Sequence, residues 1–492
     1  MTHPLPIEHP SLAAHDPGLL AAVAAGAARL TPEQAIALFG PTPLPELGRW
    51  ADARCRALHG DILRTYVIDR NINYTNVCNA RCTFCAFRRD GDEADAYTLS
   101  HEAIHDKIAA LVAIGGTQIL MQGGMNPALP LEWYLTLLRS IKDRFPKVHI
   151  HAFSPPEFIE FVHFFDPPGD TLEAKIRWVM VRLKDAGLDS LPGGGGEIFA
   201  DPVRRKIGLG KCDAESWLTC MYVAHSLGMF TSATMMFGHV EGYADRVHHL
   251  YLVRKWQDRV LREAGNHDQP MGHYVSFITW PFQRENTPLG RVKDWGAGGD
   301  PAELDQEFPG DAVARAWDFG RAAPTLPAGR READAFDFDT LDRAKYPTAH
   351  LFGKRVRMSG STDYLRTQAI ARLFLDNVYS IGASWVTMGP HIGQVALRYG
   401  ANDMGSVMME ENVVSSAGTT YCLDEAVLCR LIREAGHTPA QRNNTYDLVR
   451  IHDATPAAPD LAVTDWSAHR ARRMHQESPR QPKAALTISA AR

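Results

Sequence analysis

The chain is 492 residues long, 45% hydrophobic and 22% charged, with a formal net charge of −5. So small a charge for this length points to neither a nucleic-acid nor a membrane partner, and the chain has ample material for a core. No run approaches the roughly 18 apolar residues of a membrane helix, and the N-terminal MTHPLPIEHPS lacks the basic start and apolar centre of a signal peptide. The expectation is a soluble, cytoplasmic protein.

In chain order, residues 1–60 read as a helical extension, with an Ala/Leu-rich pattern, a Pro-rich break and a second helical stretch, LPELGRWADARCRALHG. Short apolar runs then alternate with amphipathic ones. The predicted strands are YVIDRNINY (66–74), TQILMQ (117–122), VHIHAF (148–153), LDSL (188–191), TSATMMFG (231–238), YVSFITW (274–280) and ASWVTM (383–388). Helical patterns such as SHEAIHDKIAALVAIG separate the early ones, which implies parallel strands joined by crossover helices. About seven such units suit an α/β fold of the (β/α) TIM-like barrel type, whose chemistry sits on the loops after the strands. The core is expected over 61–286 and its completion over 348–453. Between them, 287–347 is rich in Gly, Pro, Asp and Arg and reads as a partly ordered insertion. The polar tail 454–492 reads as disordered.

The first predicted strand runs into TNVCNARCTFCAFRR, which holds Cys78, Cys82 and Cys85. The other five cysteines, Cys55, Cys212, Cys220, Cys422 and Cys429, are scattered without framework spacing and read as small buried hydrophobes. Three thiols are one short of a structural zinc site, unless a distant His completes a zinc knuckle. A cubane iron–sulfur cluster is held by cysteine thiolates, and three of them leave one iron open. C-x3-C-x2-C after the first barrel strand, with the aromatic Phe84 before the third cysteine, resembles the radical SAM superfamily. The resemblance implies a [4Fe–4S] cluster whose open iron is chelated by S-adenosylmethionine (SAM), and a 5′-deoxyadenosyl radical on reduction. It also implies that Gln122, Gly123 and Gly124 in MQGGMNP admit the methionyl moiety, since glycine permits close backbone approach.

A narrower likeness covers roughly 60–285 and 350–450. DRNINYTNVC, HIHAFSPPE, DSLPGGGGEIF, WPFQREN, ASWVTMGPHIGQVALRYGANDMGS and EENVVSSAGTT together are similar to the cyclic dehypoxanthinyl futalosine synthase family of menaquinone biosynthesis. Asp69 and Tyr74 favour it over its siblings, aminofutalosine synthase and the 5-deazaflavin (FO) synthase subunits. The likeness implies oxidative cyclisation of dehypoxanthine futalosine. In that reaction the ribose C4′ hydrogen is abstracted and the carbon radical closes on the benzoate ring. An electron donor such as flavodoxin or ferredoxin is implied as partner.

Other candidates carry two readings each. Glu197 follows the fourth strand and suits a ribose hydroxyl or the methionyl ammonium; a helix-start carboxylate is the plainer reading. One of Arg204, Arg205 and Lys211 would pair with the SAM carboxylate. Spacing does not choose among them, and Arg205 is the one assigned. His149 and His151 lie two apart and so on one side of a strand, turned inward, with Ser154 and Glu157 on the following loop. Ser154 is assigned to SAM and His151 to the substrate. His239 and Glu241 end the fifth strand as acceptors for the departing proton, or as a structural pair. Gln283 and Asn286 suit hydroxyls or a carboxylate, while Trp280 reads as packing. Asp69 is a base or an internal ion pair. Glu410 and Glu411, with Ser415, Ser416, Thr419 and Thr420, suit the benzoate or polyol end, or a capped helix start; Glu411 is taken as the candidate. A sibling radical SAM enzyme and a non-enzymatic metal or iron–sulfur module stand as alternatives.

Overall fold

A computed structural model describes residues 16–40, 42–266, 270–294, 355–421 and 423–452. Most of the expected insertion at 287–347 and all of the expected tail at 454–492 lie outside the described residues. Three helices come first: α1 (Pro17–Ala24), α2 (Pro32–Ala37) and α3 (Leu44–His59). Their starts are written locally. The Asp16 carboxylate caps α1, Thr31 and Gln34 cap α2 reciprocally, and proline stands in the first turn of each. Partly buried ion pairs fix them to the rest: Arg29 reaches Asp258 at 2.9 Å and Asp376 at 2.8 Å.

The barrel begins with one strand in two parts, β1 (Leu63–Val67) and β2 (Asp69–Ile72), broken at Ile68. Helix α4 (His101–Val112) leads to β3 (Gln118–Met121), and α5 (Leu131–Arg144) to β4 (His149–Ala152). β2, β3 and β4 pair in parallel. Two single bridges, His151 to Ser190 and Leu191 to Thr231, carry the wall onward to β5 (Thr231–Phe237). Before β5 come α6 (Pro155–Phe165), α7 (Leu172–Asp185), α8 (Asp201–Ile207) and α9 (Ala214–Ser226). Helix α10 (Tyr243–Ala264) then leads to β6 (Tyr274–Pro281), which pairs with β5. A two-residue pair, β7 (Lys293–Asp294) with β8 (Arg355–Val356), precedes α11 (Ser361–Phe374). β6 pairs with β9 (Ser380–Gly382), β9 with β10 (Asp403–Ser406), and β10 with β1. The ring therefore closes, as the TIM-like reading expects.

The structure corrects the strand assignments in two places. ASWVTM is not a strand: β9 ends at Gly382, and Trp385–Met388 is a helical turn, α12. Residue 188–191 contributes only the two bridges. β10, sequence DMGS, carries two residues that disfavour strands. Its extended form is imposed by pairing with Thr65 and Val67. Helices α13 (Pro390–Ala396), α14 (Val413–Ser416) and α15 (Glu425–Glu434) follow, then β11 (Thr438–Arg442) and β12 (Leu448–Ile451). β11 pairs with β1 from Leu63 to Tyr66, below the point where the strand continues as β2 beside β3.

Alternation along the strands sorts the two sides. On β2, Ile72 joins the apolar core and Arg70 reaches the Lys107 carbonyl of α4, while Asp69 and Asn71 face inward. The apolar core thus lies between strands and helices, and the inward residues are largely polar. No described helix is long and apolar enough to cross a membrane.

Candidate active site

The three cysteines sit on the loop after β2, which neighbouring loops brace. Cys78 N donates to Arg89 O at 3.1 Å, Asn79 N to Met125 O at 3.1 Å, and Thr83 N to Ile207 O at 2.8 Å. All three cysteines are free and line one cavity, with Ala80, Phe84 and Met125 around them. Burial raises the Cys78 thiol and pushes Cys82 up to about 12. Such thiols need positive charge beside them to ionise. Among the described residues, the one set of three His, Cys, Asp or Glu donors gathered within 4.8 Å is Glu425, Cys429 and His452, far from this loop in the chain. A structural zinc takes four ligands, whereas three thiolates on one loop suit an iron–sulfur cluster with one iron left open.

Glycines let neighbouring loops close on this one. A Cβ on Gly124 would lie 2.1 Å from Val77 O and 2.9 Å from Cys78 Cβ, and one on Gly123 would lie 2.4 Å from the Tyr74 ring. Gly123 N donates to Glu157 at 3.1 Å, as does the Tyr74 hydroxyl at 2.7 Å. The backbone N–H and hydroxyl of Ser154 both donate to the other Glu157 oxygen at 2.7 Å. Ser154 therefore lines the cavity with its hydroxyl hydrogen already engaged in a bond to Glu157. In PGGGG, a Cβ on Gly194 would meet Gln122 Nε2 at 2.2 Å, and one on Gly195 would meet Pro156 at 2.2 Å.

Glu197 follows that run in a left-handed conformation, φ 42°. Its Oε1 accepts from Lys211 at 2.7 Å, and its buried Oε2 has no partner. Burial works against the charge on Lys211, but Glu197 and Cys82 outweigh it and hold the ammonium protonated. Of the three candidate cations, Lys211 is the one at the cavity. Arg204 is buried and holds the carbonyls of Gly195, Gly196 and Cys212. Arg205, assigned to SAM from sequence, is 69% exposed and pairs with Asp201 on the helix surface; a one-residue step along α8 turned it outward.

The cavity runs from the cysteines into the barrel, about 440 Å³, and its inner end is polar. Asp69 accepts from Gln118 at 3.2 Å and from the Ser406 hydroxyl. Burial raises its pKa. It makes no ion pair with its chain neighbour Arg70, which points outward to Glu410, a carboxylate that Lys107 also meets at 2.9 Å. Arg442 spans both oxygens of Asp403 at 2.6 and 2.9 Å. Glu411 accepts from Val413 N and Val414 N at 2.8 Å each and from Asn71 at 2.9 Å. Burial raises its pKa against these donors. His151 lines the same end, with Nδ1 2.6 Å from Ser190 Oγ.

Four substrate candidates lie elsewhere. Glu241 accepts from Gly238 N and His239 N and pairs with Arg246, which also pairs with Asp363. Burial opposes its charge, but His239 and Arg246 hold its carboxyl below the usual range. His239 spends its nitrogens on Met236 O and Val240 N. Both belong to a buried network beneath the rim. Gln283 donates to Pro281 O, and Asn286 donates to Ser416 O near the surface; neither lines the cavity. Ser415 and Ser416 donate to Asn412 O as the capped-turn reading expects. Conversely, Trp280, read as packing, lines the cavity, and so do Arg442, Asn444 and Tyr446, which sequence reasoning missed. The signal that could have found them is the polar run QRNNTY, which follows α15.

Residues 72–253 match the radical SAM superfamily, and residues 349–455 match the CofH/MqnC C-terminal region. The chain is 35% identical over 430 residues to the cyclic dehypoxanthine futalosine synthase of Halalkalibacterium halodurans, spanning 87% of this chain and 94% of that one. It is 32% identical over 391 residues to the 5-amino-6-(D-ribitylamino)uracil–L-tyrosine 4-hydroxyphenyl transferase of Methanopyrus kandleri, spanning 79% and 85%. It is also 32% identical over 432 residues to the aminodeoxyfutalosine synthase of Thermus thermophilus, spanning 87% and 95%. Among solved structures, methylornithine synthase (PylB) superposes with a TM-score of 0.53 over 86% of this chain and 97% of that one; at 15% identity this speaks to the fold alone. With a closed barrel, a three-cysteine loop at its rim and relatives aligned over nearly their whole length, the chain belongs to the radical SAM enzymes, in the family that holds the cyclic dehypoxanthine futalosine synthases.

Proposed function

We propose that this enzyme cyclises dehypoxanthine futalosine oxidatively in menaquinone biosynthesis. The observation that carries the reading is the likeness to a synthase of that name over 94% of its length. The cavity supports it, since one end suits the cofactors and the other a polar nucleoside-like substrate. Cys78, Cys82 and Cys85 would hold a [4Fe–4S] cluster. The partnerless Glu197 Oε2 would accept from the SAM ammonium, the charge-assisted contact such a buried oxygen needs. Gly123 and Gly124 would let backbone meet the methionyl group. When bound, the cluster and SAM would supply radical hydrogen abstraction, directed in this reading at ribose C4′. A reduced flavodoxin or ferredoxin would be the electron source.

The chain's own part is placement and exclusion. Asp69, Asn71 and Glu411 would hold the sugar hydroxyls at the inner end. Leu120, Ile278 and Met404 would keep water from the ring that the carbon radical attacks. Anaerobic turnover of reconstituted protein with SAM, dithionite and dehypoxanthine futalosine tests the reading. The expected product is two hydrogens lighter, with one deoxyadenosine per product. Deoxyadenosine without any change in the substrate would move the assignment to a sibling activity.

A further inference from the structure

We propose that His151, Ser190 and His149 form a proton relay that takes the proton lost in ring closure from the cavity out through the barrel wall. The proposal rests on the reading just given. Closing a carbon radical onto an aromatic ring leaves a ring C–H that must lose its proton, in a cavity whose function is to exclude water. The relay supplies an acceptor inside and an exit outside.

The geometry is continuous. His149 and His151 lie on one face of β4, and Ser190 sits beside them on the next segment of the wall. Ser190 Oγ lies 2.6 Å from His151 Nδ1 and 2.6 Å from His149 Nε2. Both separations are at the short end for hydrogen bonds between nitrogen and oxygen. Asn444 Nδ2 donates to Ser190 Oγ at 3.0 Å and faces His149 Nε2 at 3.1 Å. An amide nitrogen only donates, so His149 Nε2 is an acceptor. Ser190 then donates to His149 Nε2 and accepts from His151 Nδ1–H. That leaves the lone pair of His151 Nε2 on the ring that lines the cavity. His151 is buried, whereas His149 is half-buried at the start of the strand, beside Asp189 and Lys142. Both rings are held neutral. Burial lowers each, helped by His149 and Arg442 at His151 and by Lys142, against Asp189, at His149.

The step balances. The ring C–H breaks and an N–H forms at His151 Nε2. The Nδ1 proton passes to Ser190 Oγ, the Ser190 proton passes to His149 Nε2, and His149 releases its Nδ1 proton to solvent. The electron pair of the C–H stays with the ring, and the extra electron leaves to a one-electron acceptor of the iron–sulfur class. When product departs and water enters, the protons shift back and the wire is restored, a direction favoured by Asn444 facing His149 Nε2.

Two measurements decide it. Nitrogen NMR of substrate-free protein with labelled histidine should show His149 and His151 both as Nδ1–H tautomers; His151 as the Nε2–H form overturns the relay. In turnover, His149→Gln keeps a hydrogen-bond partner for Ser190 but no titratable nitrogen, and Ser190→Ala removes the middle link. Both should still form deoxyadenosine and exchange deuterium with 4′-deuterated substrate, while product formation slows about 100-fold, so deoxyadenosine per product rises. Unchanged coupling, or an equal loss of deoxyadenosine and product in both variants, overturns the relay. If the unaltered protein forms deoxyadenosine but no cyclised product, the functional reading fails first and this assignment falls with it.

Discussion

Glu197 shows how much one residue decides here. Its carboxylate is buried, one oxygen is committed to Lys211 and the other has no partner. Glu197→Gln should therefore weaken SAM binding to the reconstituted enzyme by about tenfold to a hundredfold, the span of a charge-assisted hydrogen bond. Calorimetry reads this directly, and an unchanged affinity would remove Glu197 from the SAM site. Gly124 makes a second case. Its missing side chain leaves room for Val77 O and Cys78, so Gly124→Ala should displace the cysteine loop. Iron content after reconstitution should fall well below that of the unaltered chain while the melting temperature changes little. Full iron loading would mean that the loop tolerates the methyl. Both residues were legible in the sequence because their role is tied to a short motif: three cysteines on one loop, a glycine pair, a glycine run ending in Glu.

At the scale of elements, position after a strand proved a weaker guide. His239 and Glu241 follow β5 as a catalytic pair would, yet the turn at Gly238 folds them under the rim against Arg246 and Asp363. Glu241→Ala should cost on the order of 3 kcal/mol of stability by leaving Arg246 partly uncompensated. Deoxyadenosine formed per product should not change. Denaturant unfolding and the product ratio give the two readings, and a raised ratio would return Glu241 to the catalytic site. Arg442, Asn444 and Tyr446 show the opposite error. They reach the cavity because β11 pairs with β1, a contact between residues 375 apart in the chain that no local pattern announces.

The whole molecule carries a pH signature. Burial lowers His225 and His249 to about 3, with Arg204 adding to the effect on His249. Because the folded values lie below the unfolded value of about 6.5, the unfolded chain binds more protons. The stability these residues contribute is present above that pH and is lost as pH falls toward 3. Between about pH 6.5 and pH 5.5 each should cost about 1 kcal/mol. Urea midpoints measured across that range should fall, and His225→Gln should flatten the slope; a midpoint independent of pH would contradict the burial.

The sequence by itself determined the cysteine loop, the glycine-lined cofactor wall and the alternation that makes a barrel. These depend on residues adjacent in the chain, where spacing and side-chain chemistry are visible directly. Only the tertiary structure decided which of several polar residues face the cavity. Arg205 and Arg204 are neighbours, yet one is in solvent and the other buried under a loop. Asp69 and Arg70 are neighbours on opposite sides of one strand. A step of one residue reverses direction on a strand and turns a helix by about 100°, so the choice between site and scaffold is made by strand register and helix packing, set by partners distant in the chain.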